Sequence, residues 1–290
     1  MSQTEVTVAS LHCYPLKSAG PVDLDSAVIG ERGFPFDRHW MLVDGEGRFV
    51  SQRQLPQMSL IAVALHNDRL EVSWPDSPSL EIPLDEPGTA PFQATMHASQ
   101  QPLSVVDEGC AAGNWFTDIL GEKTGHPLRL VRLAPGFERE IPDVELGRGA
   151  FINLADAYPY LVTSMRSLAA VVEHLGTSVS SFHMNRFRPN IVLHMEPPWS
   201  EMQGGTLRSN SGSAEFDLVK PCKRCGTPQV NQEIGQSDVG AELHHVLSEL
   251  SAGLPVADNV FGQNAIVADG AGEELVIGQG LTFEPRPCKT

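Results

Sequence analysis

The sequence predicts a mixed α+β protein, mainly β, in which a smaller N-terminal sheet region is joined near residues 120–145 to an α+β or barrel-like C-terminal region. The first hundred residues are short apolar runs split by Gly, Asp and Pro, a pattern that favours a barrel or sandwich-like sheet over a doubly wound core. Helical periodicity is confined to a few stretches, and no internal repeat or low-complexity tract interrupts the chain.

In chain order, strands are predicted at Val6 to Tyr14, His39 to Val43, Leu60 to Leu65 and Leu70 to Trp74. Asp44-Gly45-Glu46-Gly47 is a hairpin-turn signal between Trp40–Val43 and Arg48–Val50. Cys110 to Leu120 reads as a helix with Trp115, Phe116, Ile119 and Leu120 on its apolar side, and Leu128 to Leu133 returns to strand. Pro135 to Ala150, rich in Pro, Gly and charge, reads as a long surface loop. From Ala155-Asp156-Ala157 onward, Leu161, Met165, Leu168 and Val172 recur at helical spacing as far as Gly176. Asn190 to Met195 is a strand stopped by Pro197-Pro198, and Val239 to Leu250 a helix ended by Gly253 and Pro255. Ala265 to Ala268 and Glu274 to Ile277 are predicted as final strands around the Asp269-Gly270 turn.

Acidic residues outnumber basic ones by 36 to 20, a formal charge of −16, which argues against wholesale attraction to nucleic acid or anionic membrane. The N-terminus lacks signal-peptide character and no run reaches transmembrane length, so a cytoplasmic protein without integral membrane association is expected. Cys13, Cys110, Cys222, Cys225 and Cys288 are too sparse for a secreted disulfide framework.

Chemistry concentrates in Pro221-Cys222-Lys223-Arg224-Cys225, which follows the strand-like run Phe216–Lys220. Neighbouring cations stabilise a thiolate, a better nucleophile and a soft metal ligand. The pair allows a redox dithiol, half of a zinc site, or one thiolate on a soft transition metal. Zinc would need ligands that no second Cys-x-x-Cys supplies, and the Pro- and Gly-containing stretch from Gly226 to Gln236 is a poor setting for a dithiol enzyme. In Arg186-Phe187-Arg188-Pro189-Asn190, alternation along an extended backbone sends Arg186, Arg188 and Asn190 the same way, a face suited to phosphate or another polyoxygen anion. Lys17-Ser18 follows one strand and Asp37-Arg38 starts another, so strand ends can bring Lys17 and Arg38 around a common pocket, with Asp37 either orienting Arg38 or merely cancelling its charge. His183 is a weaker candidate, His244-His245 face different ways on a helix, and neither a Walker loop nor a glycine fingerprint at Gly30 and Gly33 is present.

Tyr14-Pro15-Leu16-Lys17-Ser18, Asp37-Arg38-His39-Trp40, Asn185 to Asn190, Lys220 to Cys225 and Phe261-Gly262-Gln263-Asn264 together resemble the MOSC family, named for the C-terminal domain of molybdenum-cofactor sulfurase. The resemblance spans nearly the whole chain and is greatest to the branch with an N-terminal β-barrel domain, which includes the amidoxime-reducing proteins. It implies an N-terminal β-barrel-like domain at 1–125 and a MOSC-type β-barrel domain with peripheral helices at 126–290. It also implies a molybdenum–molybdopterin cofactor, with no role for pyridoxal phosphate, whose metal is held by Cys225. In that reading Lys17, Ser18, Arg38, Arg186, Arg188 and Asn190 grip the pterin and its phosphate, Arg224 stands beside the ligand in the catalytic centre, and Asn231 lines the mouth. The implied activity is reduction of N-hydroxylated compounds, with a separate ferredoxin, flavoprotein or haem protein as electron donor because the cysteine pattern of a plant-type iron–sulfur domain is missing. Asn231 stands where the amidoxime-reducing proteins often have Asp, a departure that leaves substrate preference open. A cofactor carrier or sulfur-transfer protein using a Cys225 persulfide is the alternative.

Overall fold

The computed structural model describes residues 3–286 apart from 86, 98–100, 144–147, 177–181, 253 and 255–257. Gly253, Pro255 and Cys288 therefore lie outside the described residues. An eight-stranded sheet runs in the order Ile191–His194, Tyr160–Ser164, Val260–Asp269, Glu215–Lys223, Gly205–Ser209, Gly280–Pro285, Thr4–Cys13, Val22–Leu24. Pairing of Thr4–Cys13 with Ile191–His194 closes the sheet into a barrel, and the short strand Val22–Leu24 remains at an edge. Inside it Val6, Tyr160, Ile191, Phe216, Leu218 and Phe283 are among the buried side chains of one apolar core.

The N-terminal sheet has the order Trp40–Val43, Arg129–Leu133, Leu103–Asp107, Phe92–Ala94, beside a three-stranded meander of Ala62–Leu65, Arg69–Ser73 and Leu80–Pro83. Helix α1 (Cys110–Thr124) packs Phe116 and Leu120 with Trp40, Leu42 and Leu130 of this region. Strand pairing crosses the 125/126 division in both directions. Thr4–Cys13 belongs to the barrel, and Arg129–Leu133 belongs to the N-terminal sheet.

Helices α2 (Met165–Leu175) and α3 (Glu242–Ser251) lie on the barrel, burying Leu168, Val172, Leu243 and Leu247 with Phe187 and Phe261. Among the described residues no helix is long and apolar enough to cross a membrane.

Three expectations need correction. The helical pattern from Ala155 hides a strand, Tyr160–Ser164, buried at every position and paired with Ile191–His194 on one side and Val260–Asp269 on the other. A strand buried on both faces has no alternation to read. Helix α2 starts only after Ser164, whose hydroxyl caps it by accepting from the Arg166 N–H at 3.1 Å. Pro135 to Ala150 is not all loop, since Glu140–Asp143 pairs with Arg148–Phe151 and Ala150 packs against Val219 and Ile266. One apolar anchor is too little to register as a periodic strand. At the C-terminus both expected strands form, Glu274–Val276 pairing with Ser26–Val28, but they are not the last, since Gly280–Pro285 follows and bridges Thr4–Cys13 and Gly205–Ser209.

Candidate functional site

Three remote segments are stitched together by backbone hydrogen bonds at one end of the barrel. Lys17 N–H donates to Trp40 O at 2.8 Å, Arg38 N–H to Tyr14 O at 2.8 Å, and Leu154 N–H to Arg38 O at 2.9 Å. The effect is to present Lys17, Ser18, Arg38, Asp156, Arg188 and Asn190 around a cavity of about 330 Å³, a volume typical of small-molecule sites. The strand Glu215–Lys223 supplies the facing wall and carries Cys222, with Arg224 and Cys225 following it at the mouth.

Three residues of the first wall have positive φ, Ser18 at 74°, Arg38 at 45° and Arg188 at 57°. Such conformations cost non-glycine residues roughly 1–3 kcal/mol and persist only where surrounding contacts impose them. For Arg38 those contacts are explicit. Its Nη1 donates to both Asp37 carboxylate oxygens at 2.7 and 2.6 Å and to Asn190 Oδ1 at 3.1 Å, and its Nη2 donates to Arg188 O at 2.8 Å. Asp37 is 2% exposed and also accepts from the Tyr14 N–H at 2.8 Å.

Arg38 and Arg188 both lie over the Tyr14 ring, at 4.4 and 4.3 Å from its centroid. Arg188 is 9% exposed; its Nη1 donates to Ala19 O at 2.6 Å, while its Nη2 is buried with no partner among the described residues. Burial pushes its basicity down to about 10. Lys17 is also buried, which lowers its pKa. Its Nζ donates to Leu154 O at 2.8 Å and Asp156 Oδ1 at 2.7 Å. Burial disfavours the Asp156 carboxylate, but Lys17 and His97 outweigh it and hold the group well below the usual range.

Cys225 is exposed and Cys222 half-buried, both as free thiols. Cys225 Sγ lies 3.2 Å from Thr227 Oγ1. Arg224 Nη1 donates to Cys222 Sγ at 3.0 Å and Nη2 to Phe187 O at 2.8 Å. The loop is pinned by Arg224 N–H to Asn259 O at 2.9 Å and by Asn259 Nδ2 to Arg224 O at 2.7 Å. His244, set aside from the sequence, contacts the Cys225 carbonyl at 3.0 Å and steadies the loop from α3. A single 3-10 turn, Thr227–Gln229, follows Cys225, so the helix that a dithiol enzyme places there is replaced by a short turn. Among the described residues, no group of three or more His, Cys, Asp or Glu side chains is arranged to hold a metal ion. A metal at Cys225 would need its other donors from a cofactor.

Two candidates diverge from this cavity. Arg186 sits in the 3-10 turn Met184–Arg186, and the left-handed Arg188 further breaks the extended path that alternation assumed. Arg186 therefore points to Asp238, donating at 2.7 and 2.8 Å, and Asn231 Nδ2 donates to the same carboxylate at 2.8 Å. His183 pairs with Glu233 at 3.2 Å. Asp156 and Tyr14 are the residues that sequence reasoning undervalued. Tyr14 lay inside a recognised motif, whereas nothing in the local sequence marks Asp156 as Lys17's partner.

Residues 5–123 match the MOSC N-terminal beta barrel domain model and residues 151–265 the MOSC domain model. Molybdenum cofactor sulfurase from Bos taurus is 26% identical over 250 residues, covering 79% of this chain, but the chain spans only 27% of that protein's length. Mitochondrial amidoxime-reducing component 1 from Mus musculus is 29% identical over 246 residues, covering 80% of this chain and 68% of its own. Its Homo sapiens counterpart is 29% identical over 243 residues, with 79% and 67% covered. The expected cytoplasmic location does not stand, because these last two relatives are named for the mitochondrion.

Proposed function

Since the chain belongs to the MOSC family, with that family's N-terminal β-barrel domain ahead of its MOSC domain, we propose that it is a molybdenum-cofactor-binding oxidoreductase that reduces N-hydroxylated compounds. The observation that carries this reading is the exposed Cys225 thiol at the mouth of a cavity whose inner wall holds the Arg188 guanidinium with one nitrogen unpartnered. A buried donor without a partner costs roughly 1–3 kcal/mol, and a small shift of the Arg188 side chain toward an anion in the cavity would remove that cost. Thiol and guanidinium together suit a cofactor that combines a soft metal with a phosphate. The cavity residues therefore fit a molybdopterin.

In this role Cys225 is the protein's ligand to the metal, and Arg188, with Ser18 and Asn190 beside it, holds the pterin side. Arg38, already bound to Asp37 and Asn190, positions Arg188 through its carbonyl. Lys17 faces the same space but is tied to Asp156, so it contributes field more than a free donor. Arg186 and Asn231 act at one remove, through Asp238. Bound there, molybdenum would supply two-electron chemistry that breaks the N–O bond, with the oxygen leaving as water once two protons are taken up. Electrons come from a separate ferredoxin, flavoprotein or haem protein. The relatives named for amidoxime reduction are matched over about two thirds of their length, against 27% for the sulfurase, which favours reduction over sulfur transfer.

The test is metal and pterin analysis of anaerobically purified protein, alongside amidoxime reduction with an added electron donor. Wild type should retain molybdenum and turn over, and Cys225→Ala should lose both. Molybdenum-replete protein inert toward several amidoximes and N-hydroxylated bases would overturn the proposal. Delivery of sulfur or cofactor to an acceptor enzyme, without N–O reduction, would establish the persulfide or carrier alternative in its place.

A further inference from the structure

The chain carries a formal charge of −16, and many of its surface cations are neutralised by carboxylates. Arg48 pairs with Glu46, Arg69 with Asp68 and Glu81, and Arg208 with Glu215 and Glu284. Arg53, Lys220 and Lys223 are different. All three are exposed, none has a carboxylate partner among the described residues, and all line the cavity. The cavity's own carboxylate, Asp156, is matched by Lys17.

The cavity is thus cationic at two depths. Arg38 and Arg188 stand in its inner wall, where their guanidiniums favour one bound phosphate. Arg53, Lys220 and Lys223 remain in contact with solvent. Three uncompensated cations at the entrance of a site in an acidic protein focus the field and raise the local concentration of anions. They line the concave wall of a small-molecule cavity, which selects a small anion over the flat acidic face of a macromolecule.

We propose that Arg53, Lys220 and Lys223 form a substrate-selecting rim, and that the preferred substrates are N-hydroxylated compounds carrying a carboxylate or phosphate. This rests on the reductase reading above and names its substrate class. The rim binds the anionic tail and leaves the N–O group facing the metal that Cys225 would hold. Carboxylate and phosphate tails share the chemistry of charge-assisted hydrogen bonding to Lys and Arg.

The experiment compares benzamidoxime with 4-carboxybenzamidoxime, using reduced methyl viologen as donor so that no partner protein is involved. At low ionic strength kcat/KM should favour the carboxylate by about tenfold, and about 0.5 M salt should erase most of that preference. The Arg53→Gln/Lys220→Gln/Lys223→Gln variant should lose the preference while keeping its molybdenum content and its rate on benzamidoxime. Calorimetric titration of the oxidised protein with the same two compounds, without reductant, gives an independent reading. Tighter binding of the carboxylate, lost in the triple variant, supports the rim even if neither compound is reduced, in which case the reductase reading is what fails. Equal binding and turnover of the two compounds would overturn the rim, as would loss of molybdenum from the triple variant, which would make these cations cofactor ligands. A charge effect seen only with a protein donor would also overturn it and turn the rim into a docking surface.

Discussion

The Arg38 guanidinium donates to the backbone carbonyl of Arg188 at 2.8 Å, joining residues that are 150 positions apart in sequence. The same side chain neutralises Asp37, which is 2% exposed. Replacing Arg38 with Met strands a buried carboxylate, and breaking a buried pair from one side costs about 3–5 kcal/mol. Urea unfolding should show a loss of that size for Arg38→Met and a markedly smaller one for the double variant Arg38→Met/Asp37→Asn. Equal losses would mean that the pair itself is not what couples the two halves.

Tyr14 lies beneath both guanidiniums, yet its hydroxyl is buried without a hydrogen-bond partner among the described residues. Its ring, not its oxygen, carries its function. Tyr14→Phe keeps the cation–π surface and removes an unsatisfied polar atom, so stability should hold or rise by up to about 1 kcal/mol. Tyr14→Leu, which loses the π face under two cations, should lose about 2 kcal/mol or more. Thermal or urea denaturation of the two variants separates the roles, and a destabilised Phe variant would show that the hydroxyl has a partner in solution.

Gly262 lies within the strand Val260–Asp269 at φ 76°. A Cβ there would stand 2.7 Å from Thr163 Cγ2 and 2.9 Å from the Val162 carbonyl oxygen, both on the neighbouring buried strand. Neither the conformation nor the space admits a side chain. Gly262→Ala should therefore destabilise the barrel by about 2–4 kcal/mol in urea unfolding, an outcome that an ordinary exposed strand glycine would not give.

The sequence made some of this arrangement readable and hid the rest for physical reasons. The strands Thr4–Cys13 and Ile191–His194 and the helices α1 and α3 show themselves through apolar runs or 3.6-residue spacing. Lys17, Arg38, Arg188 and Cys225 belong to recognisable motifs, and they do share one cavity. What stayed hidden depends on tertiary choices. Arg186 and Arg188 are two residues apart, yet a 3-10 turn and a positive φ send one to Asp238 and the other over Tyr14. Asp156 is 139 positions from Lys17, a pairing that no local pattern encodes. Barrel closure, likewise, depends on Thr4–Cys13 meeting strands from the far end of the chain.

The two thiols of the Cys-x-x-Cys stretch should separate cleanly in experiment. Cys225 is exposed, and its Sγ contacts the Thr227 hydroxyl at 3.2 Å. Cys222 receives Arg224 at 3.0 Å. Cys225→Ala should change unfolding stability by no more than about 0.5 kcal/mol while abolishing retention of molybdenum. Cys222→Ala should retain the metal but alter turnover, because Arg224 keeps its bond to the Phe187 carbonyl but loses the sulfur that fixes its other terminal nitrogen. Metal loss in Cys222→Ala and not in Cys225→Ala would reverse the assignment.

Glu201 is fully buried against α2, with Oε2 accepting from the Ser167 hydroxyl at 3.0 Å and Oε1 unpartnered among the described residues. Burial raises its pKa from the ordinary 4.5 to about 7, partly opposed by the Ser167 hydrogen bond. Between those two values the folded protein holds a proton that the unfolded chain has released, so stability falls as pH rises from 4.5 to 7 and levels off above. Over that window the loss is about 3 kcal/mol. Glu201→Gln keeps an oxygen for Ser167 and has no proton to lose. Urea unfolding at a series of pH values should show this component in wild type and its disappearance in Glu201→Gln, which becomes the more stable protein at pH above about 7. Parallel pH profiles for the two proteins would mean that Glu201 titrates no differently folded than unfolded.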